Sequence, residues 1–304
     1  MRNKYVFVGL MLAVILLASL GLTGLYADSN ATEDKDKFNI VTSFYPIYIA
    51  CMNITDGADN VELTNLSEPK TGCLHDFQMT PQDMILLSKA DAFVINGGGI
   101  ESFIADVADS YPDVEIIEST ADVDLIEESN EDVNAHAWMS LADYRIMVNT
   151  IAQQLAGLDE VNSEIYLSNA RAYDSKLADL QVQQEGLKSQ LSGKNIIIFH
   201  EAYEYVAEDY GMNVVCCLDL DEERAVSAGE ISQVISAVET ENAGTILAEE
   251  LYGHKAPATV SSEISVSVIY LDPLNKGDYD KNSYIDEMSA NIQLLRDNYD
   301  VEEH

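Results

Sequence analysis

Eight short apolar runs, four on each side of one long helical stretch, constrain this chain more than any other feature. The first set is 38–43 (Phe-Asn-Ile-Val-Thr-Ser), 61–66, 92–96 and 114–118; the second is 195–199, 213–217, 244–248 and 266–271. Val and Ile concentrate in the runs and helix-patterned segments separate them, which predicts parallel βα units. The helix signals are specific. Thr80, Pro81 and Asp83 read as N-cap, first position and third position of a helix over 81–90. Ser140 caps a helix of about 141–157, Gly211 closes one at 201–210, and Ser227 with Glu230 makes a capping box for 228–241. Further helices are expected over 255–263 and, with Ser283 as cap, over 283–298.

Between the two sets, residues 162–192 contain no proline and one glycine, Gly186. Tyr173, Leu177, Leu180, Leu187 and Leu191 fall on one helical face. At 1.5 Å per residue the stretch makes a rod of roughly 40 Å. With strands on both sides, it reads as a stiff connector rather than a surface helix of one domain. The expected fold is α/β, with two lobes, each a four-stranded, mostly parallel sheet with flanking helices, joined by one long rigid helix. The lobes are placed at 38–161 and 193–304, with 162–192 connecting them.

Arg2 and Lys4 precede an uncharged stretch, Tyr5 to Ala27, and residues 28–37 form a polar tether. Positive, then apolar, then small residues is the pattern of an export signal. The stretch is also long enough to span a bilayer, so segment 1–27 fits both a cleaved signal peptide and an uncleaved anchor. The first cysteine is Cys51, so no lipid-modified cysteine follows the apolar run. The working part is expected outside the cytoplasm, at the cell surface or in a periplasm. With 16 Lys and Arg against 53 Asp and Glu, the formal net charge is −37. Such a surface repels phosphate backbones and anionic headgroups and tolerates cations, which disfavours nucleic-acid and peripheral membrane binding.

Ligands of open parallel sheets bind beyond the carboxyl ends of strands. Of the five histidines, His304 is terminal and His254 sits in a polar loop beside Lys255. The other three suit that rule. His200 directly follows the run ending at Phe199, His75 lies in the loop after 61–66, and His136 lies just before Ser140. Asp272, after the run 266–271, is a fourth candidate. Three imidazoles and a carboxylate suit zinc best among common ions. Glu249 is an alternative fourth ligand, read here rather as a group that orients a histidine.

The phrases Thr42-Ser43-Phe44-Tyr45-Pro46, Leu74-His75-Asp76-Phe77, Thr80-Pro81-Gln82-Asp83, Asn96-Gly97-Gly98-Gly99-Ile100-Glu101, Ala135-His136-Ala137-Trp138, Phe199-His200-Glu201-Ala202-Tyr203 and Leu271-Asp272-Pro273-Leu274 occur in that order. The ordered series resembles the zinc/manganese solute-binding proteins of bacterial ABC importers, a family that includes zinc-binding lipoproteins and adhesins. The resemblance implies two (β/α) lobes joined by a long helix, one metal between them, and delivery to an ABC permease. By position it implies His75, His136, His200 and Asp272 as the ligands. A histidine at the position of His200 points to Zn²⁺, with Mn²⁺ possible. A monomer and modest lobe motion are expected. The chain departs from many relatives in lacking a lipobox cysteine. It also carries an acidic segment at 119–134 where zinc-specific relatives often have a histidine-rich loop, and that segment reads as a solvated face.

Cys73 has three readings: metal binding, pairing with Cys51 at the end of the first helical stretch, or packing. Cys216 and Cys217 are adjacent in a strand and point to opposite faces. No enzyme motif appears: His200-Glu201-Ala202-Tyr203-Glu204 lacks the second histidine of a zinc-protease helix. Gly97-Gly98-Gly99 reads as a tight turn that lets backbone pass close to the cleft. The expectation is therefore a non-enzymatic metal-capture protein, with manganese or iron capture, a metal-stabilised adhesin and a zinc hydrolase as the alternatives.

Overall fold

Both sets of runs form sheets, and the two sheets share one topology. The computed structural model describes residues 37–67, 77–128, 132–218, 220, 226–250 and 255–299. The apolar run 5–27, most of the tether, Cys73, His75, His254 and His304 lie outside the described residues.

In the first half, β1 (Phe38–Thr42), α1 (Tyr45–Ile54), β2 (Val61–Asn65), α2 (Pro81–Leu87), β3 (Ala92–Ile95), α3 (Ile104–Ser110) and β4 (Glu115–Glu118) follow one another. A 3₁₀ turn, Ala137–Met139, leads into α4 (Leu141–Leu158) and then α5 (Ser163–Leu191). The second half runs β5 (Asn195–Ile198), α6 (Tyr203–Tyr210), β6 (Asn213–Cys217), α7 (Ala228–Glu241), β7 (Thr245–Ala248), α8 (Lys255–Glu263), β8 (Ser267–Tyr270) and α9 (Ser283–Asn298). The sheets have strand orders β2-β1-β3-β4 and β6-β5-β7-β8, and all their pairings are parallel. In each, the chain crosses from one side of the first strand to the other. The switch points lie between β1 and β3 and between β5 and β7, where crevices open at the carboxyl ends.

Caps and breakers act where the sequence reading put them. Thr80 and Asp83 form a reciprocal capping box, as do Ser227 and Glu230. Gly211 ends α6 in the left-handed region at φ 68°. Two local readings are corrected. Ser283 is the first residue of α9 rather than its cap, and its hydroxyl donates instead to the Asp278 carbonyl at 2.8 Å. Cys51 lies inside α1 rather than at its end, as a free and fully buried thiol. Cys216 is buried and Cys217 exposed, as adjacent strand residues require.

The apolar stripe of α5 is buried along its whole length, from Tyr166 and Ala170 through Tyr173, Leu177, Leu180 and Leu187 to Leu191. Its first turns pack on the first half. Asn169 Nδ2 donates to the carbonyls of Ile54 and Asp56, and Tyr166 Oη to Asp159 at 2.7 Å. Its last turns pack on the second half, where Gln184 Nε2 donates to Asp209 Oδ2 at 2.8 Å. One unbroken helix thus carries both sheets, and residues of both halves share the largest core cluster. Among the described residues no helix is long and apolar enough to cross a membrane.

Candidate metal centre

The carboxyl ends of the strands converge on a seam between the halves. In the second sheet His200 follows β5 and Glu249 follows β7, on either side of the switch point. His200 Nδ1 stands 3.7 Å from Glu249 Oε2, too far for a direct hydrogen bond but close enough for the carboxylate to face the ring. Glu249 Oε1 takes a bond from Lys276 Nζ at 3.0 Å, which partly neutralises it.

In the first sheet, β3 ends in the triple-glycine turn. Gly97, Gly98 and Gly99 all have positive φ. A Cβ on Gly98 would stand 3.1 Å from that of Ala135, so the missing side chain lets the backbone before His136 lie directly on the turn. Asn96 Nδ2 donates to the Ala135 carbonyl at 2.9 Å and pins the same segment. Glu101 accepts from the backbone N–H groups of Asn96 and Gly97 at 2.7 and 3.1 Å. Burial raises its carboxyl pKa, and those hydrogen bonds oppose the shift.

His136 is thereby delivered to the seam with 0% exposure, and His200 meets it from the other half, also at 0%. Their ring centroids are 5.0 Å apart, edge to face. Asp272 sits half-buried in the loop after β8. Asn291 of α9 clamps its backbone twice, accepting its N–H at 2.8 Å and donating to its carbonyl at 2.7 Å. The adjoining Pro273 carbonyl accepts the Trp138 indole N–H at 2.8 Å, so the Asp272 loop is bonded to the turn that carries His136. Burial raises the Asp272 pKa; the Leu274 N–H at 2.8 Å and the nearby Lys276 charge pull it back.

The structure therefore brings His136 and His200 together and holds the Asp272 loop against the former. His75 lies outside the described residues, and among those described no group of three or more His, Cys, Asp or Glu side chains is drawn together as a metal-holding set. Glu249, read as a group that orients a histidine, faces the His200 ring at 3.7 Å without hydrogen bonding to it. Three contributors were not foreseen: Asn134, whose Oδ1 lies 2.9 Å from His136 Nδ1; Glu201, whose Oε1 lies 3.4 Å from the same atom; and Trp138. The first two are polar residues within two positions of a candidate histidine, and that nearness was the available signal.

Behind the site, aromatic rings close the seam. Tyr144 of α4 stacks on Tyr284 of α9 at 3.7 Å, and Tyr284 Oη donates to the Trp138 carbonyl at 2.7 Å. Burial holds both phenols well above their ordinary pKa, so they stay neutral and act as packing with a polar tip.

Two open parallel sheets joined by one rigid helix, with imidazoles meeting at their facing ends, define a bilobed metal-binding protein of the solute-capture class. Within that class, the chain belongs to the ZnuA family, zinc-uptake complex component A, periplasmic, whose profile matches residues 40–298. It is accordingly a binding protein and not an enzyme. It is 27% identical to the manganese-binding lipoprotein MntA of Halalkalibacterium halodurans over 93% of this chain and 95% of that one. It is also 27% identical to the high-affinity zinc uptake system protein ZnuA of Bacillus subtilis, over 93% of each chain. Among solved structures, the solute-binding protein FpvC of Pseudomonas aeruginosa in complex with Mn²⁺ superposes with a TM-score of 0.74 at 25% identity. That match covers 85% of this chain and 97% of the other.

Proposed function

We propose that the chain captures one Zn²⁺ in the seam between two lobes, at 38–161 and 193–304, and hands it to an ABC permease. His75, His136, His200 and Asp272 are the proposed ligands. The observation that carries this reading is the meeting of two fully buried imidazoles 5.0 Å apart, one from each half of the chain. A lone buried histidine is commonly structural. Two from opposite halves, each with a carboxylate within 4 Å of its Nδ1, make a site for a dication. The donor chemistry suits zinc, since an all-oxygen set would be needed for calcium or magnesium.

Capture takes place outside the cytoplasm, by a monomer exported through segment 1–27. Without a lipid-bearing cysteine after that segment, the chain differs from the relative named a lipoprotein, and surface retention would rest on an uncleaved 5–27 segment. Manganese is the second reading. It is favoured by the equal identity to a manganese-binding relative and by the likeness to a Mn²⁺ complex.

Elemental analysis of the purified chain beside a His75→Ala, His136→Ala, His200→Ala variant tests the site. The parent should carry about one equivalent of zinc and the variant none; equal metal in both would refute the assignment. Parallel titrations with Zn²⁺ and Mn²⁺ decide between the two ions.

A further inference from the structure

We propose that Asn134 is a positioning residue that sets the tautomer of His136 and ties that ring to the loop of His200. The inference deepens the metal-capture reading and rests on it. Asn134 is fully buried. Its Oδ1 accepts the His136 backbone N–H at 3.1 Å and stands 2.9 Å from His136 Nδ1. Its Nδ2 donates to the Glu201 carbonyl at 3.0 Å and to Glu204 Oε2 at 3.1 Å.

The two ends of an amide are told apart by their partners. Turned over, this amide would aim its oxygen at a carbonyl and a carboxylate, which have no proton to give, and its NH₂ at a backbone N–H. Only one orientation satisfies all four contacts. With Oδ1 facing the ring, Nδ1 must carry the proton, because an acceptor gains nothing from a lone pair. The ring's lone pair is then on Nε2, the atom a dication needs. Glu201 Oε1, 3.4 Å from the same Nδ1, adds negative charge that favours the proton there.

The same amide also spans the seam. Asn134 precedes the turn of His136, whereas Glu201 and Glu204 follow His200 into α6. Tyr205 reinforces the tie, its Oη donating to the Asn134 carbonyl at 2.6 Å and accepting the Ile126 N–H at 3.3 Å. One side chain thus orients the first imidazole and sets its distance from the second. An aspartate could not replace it: it would have no donor for the Glu201 carbonyl and would set a carboxylate against that of Glu204. In a chain with 53 acidic residues, this position carries an amide.

Long-range ¹H–¹⁵N correlation spectra of the metal-free protein read the tautomer directly, and competition with a chromogenic chelator reads the affinity for Zn²⁺. Wild-type His136 is expected to carry its proton on Nδ1. Asn134→Ala is expected to mix the tautomers and lower zinc affinity about 10–100-fold, and Asn134→Asp to lower it at least as far. Asn149→Ala, which loses only a bond to the Arg145 carbonyl of its own helix, should change neither readout. A wild-type ring protonated on Nε2, or an Asn134→Ala protein with unchanged tautomer and affinity, would overturn the proposal. If Asn134→Ala does not fold, the wild-type spectrum alone decides. His136→Ala separates the two ideas: full zinc affinity in that variant sinks the ligand assignment, while the tautomer, read without metal, still judges Asn134.

Discussion

Trp138 joins the two parts of the site that lie 135 residues apart in the chain. Its indole is fully buried, edge-on to Phe44 at 4.9 Å, and its single donor is spent on the Pro273 carbonyl. Trp138→Phe would keep most of the apolar contact and strip out only that donor, leaving a buried carbonyl unsatisfied. A loss of about 1–3 kcal/mol is expected in urea unfolding. Zinc affinity should fall with it, because the Asp272 loop is no longer bonded to the His136 turn. A variant with the parent's unfolding midpoint and affinity would show that the bond positions nothing. Acidity acts on the candidate site at the same scale. Unperturbed imidazoles protonate near pH ~6.5 and a protonated ring cannot ligate, so zinc affinity should drop between pH 7.5 and 5.5. Competition titrations across that range measure it.

Among the elements, α5 carries the clearest contrast between an inner and an outer face. Leu177 is 0% exposed and Val182, five residues on, is 68% exposed. Leu177→Ala should cost about 2–5 kcal/mol, through lost burial and a cavity between packed helices. Val182→Ala should stay within about 0.5 kcal/mol. Denaturant midpoints with a common slope would show both. The junction of α4 with α6 has a different chemistry. Ser140, the cap of α4, donates to Asp209 Oδ1 of α6 at 3.0 Å, and Asp143 lies nearby. Burial, then the charges of Asp209 and Glu208, push the Asp143 pKa from 3.8 to about 6. The folded state therefore binds more protons than the unfolded one between those values. Stability from this group is fully present below about pH 4 and lost as pH rises through about 6. Asp143→Asn should raise stability at neutral pH by about 1 kcal/mol, a figure reduced for the partial exposure of the group, and should flatten the slope between pH 4 and 6. Thermal melts of the metal-free protein at several pH values test the sign.

For the molecule as a whole, two features set the response to metal and to salt. The halves are joined by an unbroken helix packed on both of them and by bonds across the seam, including Tyr45 Oη to Glu287 Oε1 at 2.8 Å and Asn53 Nδ2 to the Lys281 carbonyl at 2.9 Å. Hinge closure needs a few loop residues that absorb large backbone changes, and α5 provides none. Zn²⁺ should therefore leave the radius of gyration nearly constant in solution scattering while raising the melting temperature, by about 2.7 kcal/mol of stability at a hundredfold excess over Kd. A large domain rotation, or a chelator that leaves the melt unchanged, would count against the reading. The net charge of −37 implies self-repulsion across the folded surface, so raising ionic strength should also raise the melting temperature of the metal-free chain.

The strands, the long helix and the caps at Thr80 and Ser227 were legible in the chain because they depend on neighbours a few residues away: β-branched runs, a spacing of three and four, a hydroxyl three residues before an acid. Two of the candidate ligands, His200 and Asp272, could be picked out for a related reason, since a residue just past a strand is at the carboxyl end of a sheet wherever that sheet lies. What the chain could not state by itself was the partnership of Asn134 with Glu201 and Glu204, of Trp138 with Pro273, and of Ser140 with Asp209. Those groups lie 67 to 135 residues apart. A hydrogen bond requires its atoms within about 3 Å and in line, and only the docking of two separately wound sheets along one helix brings them that close.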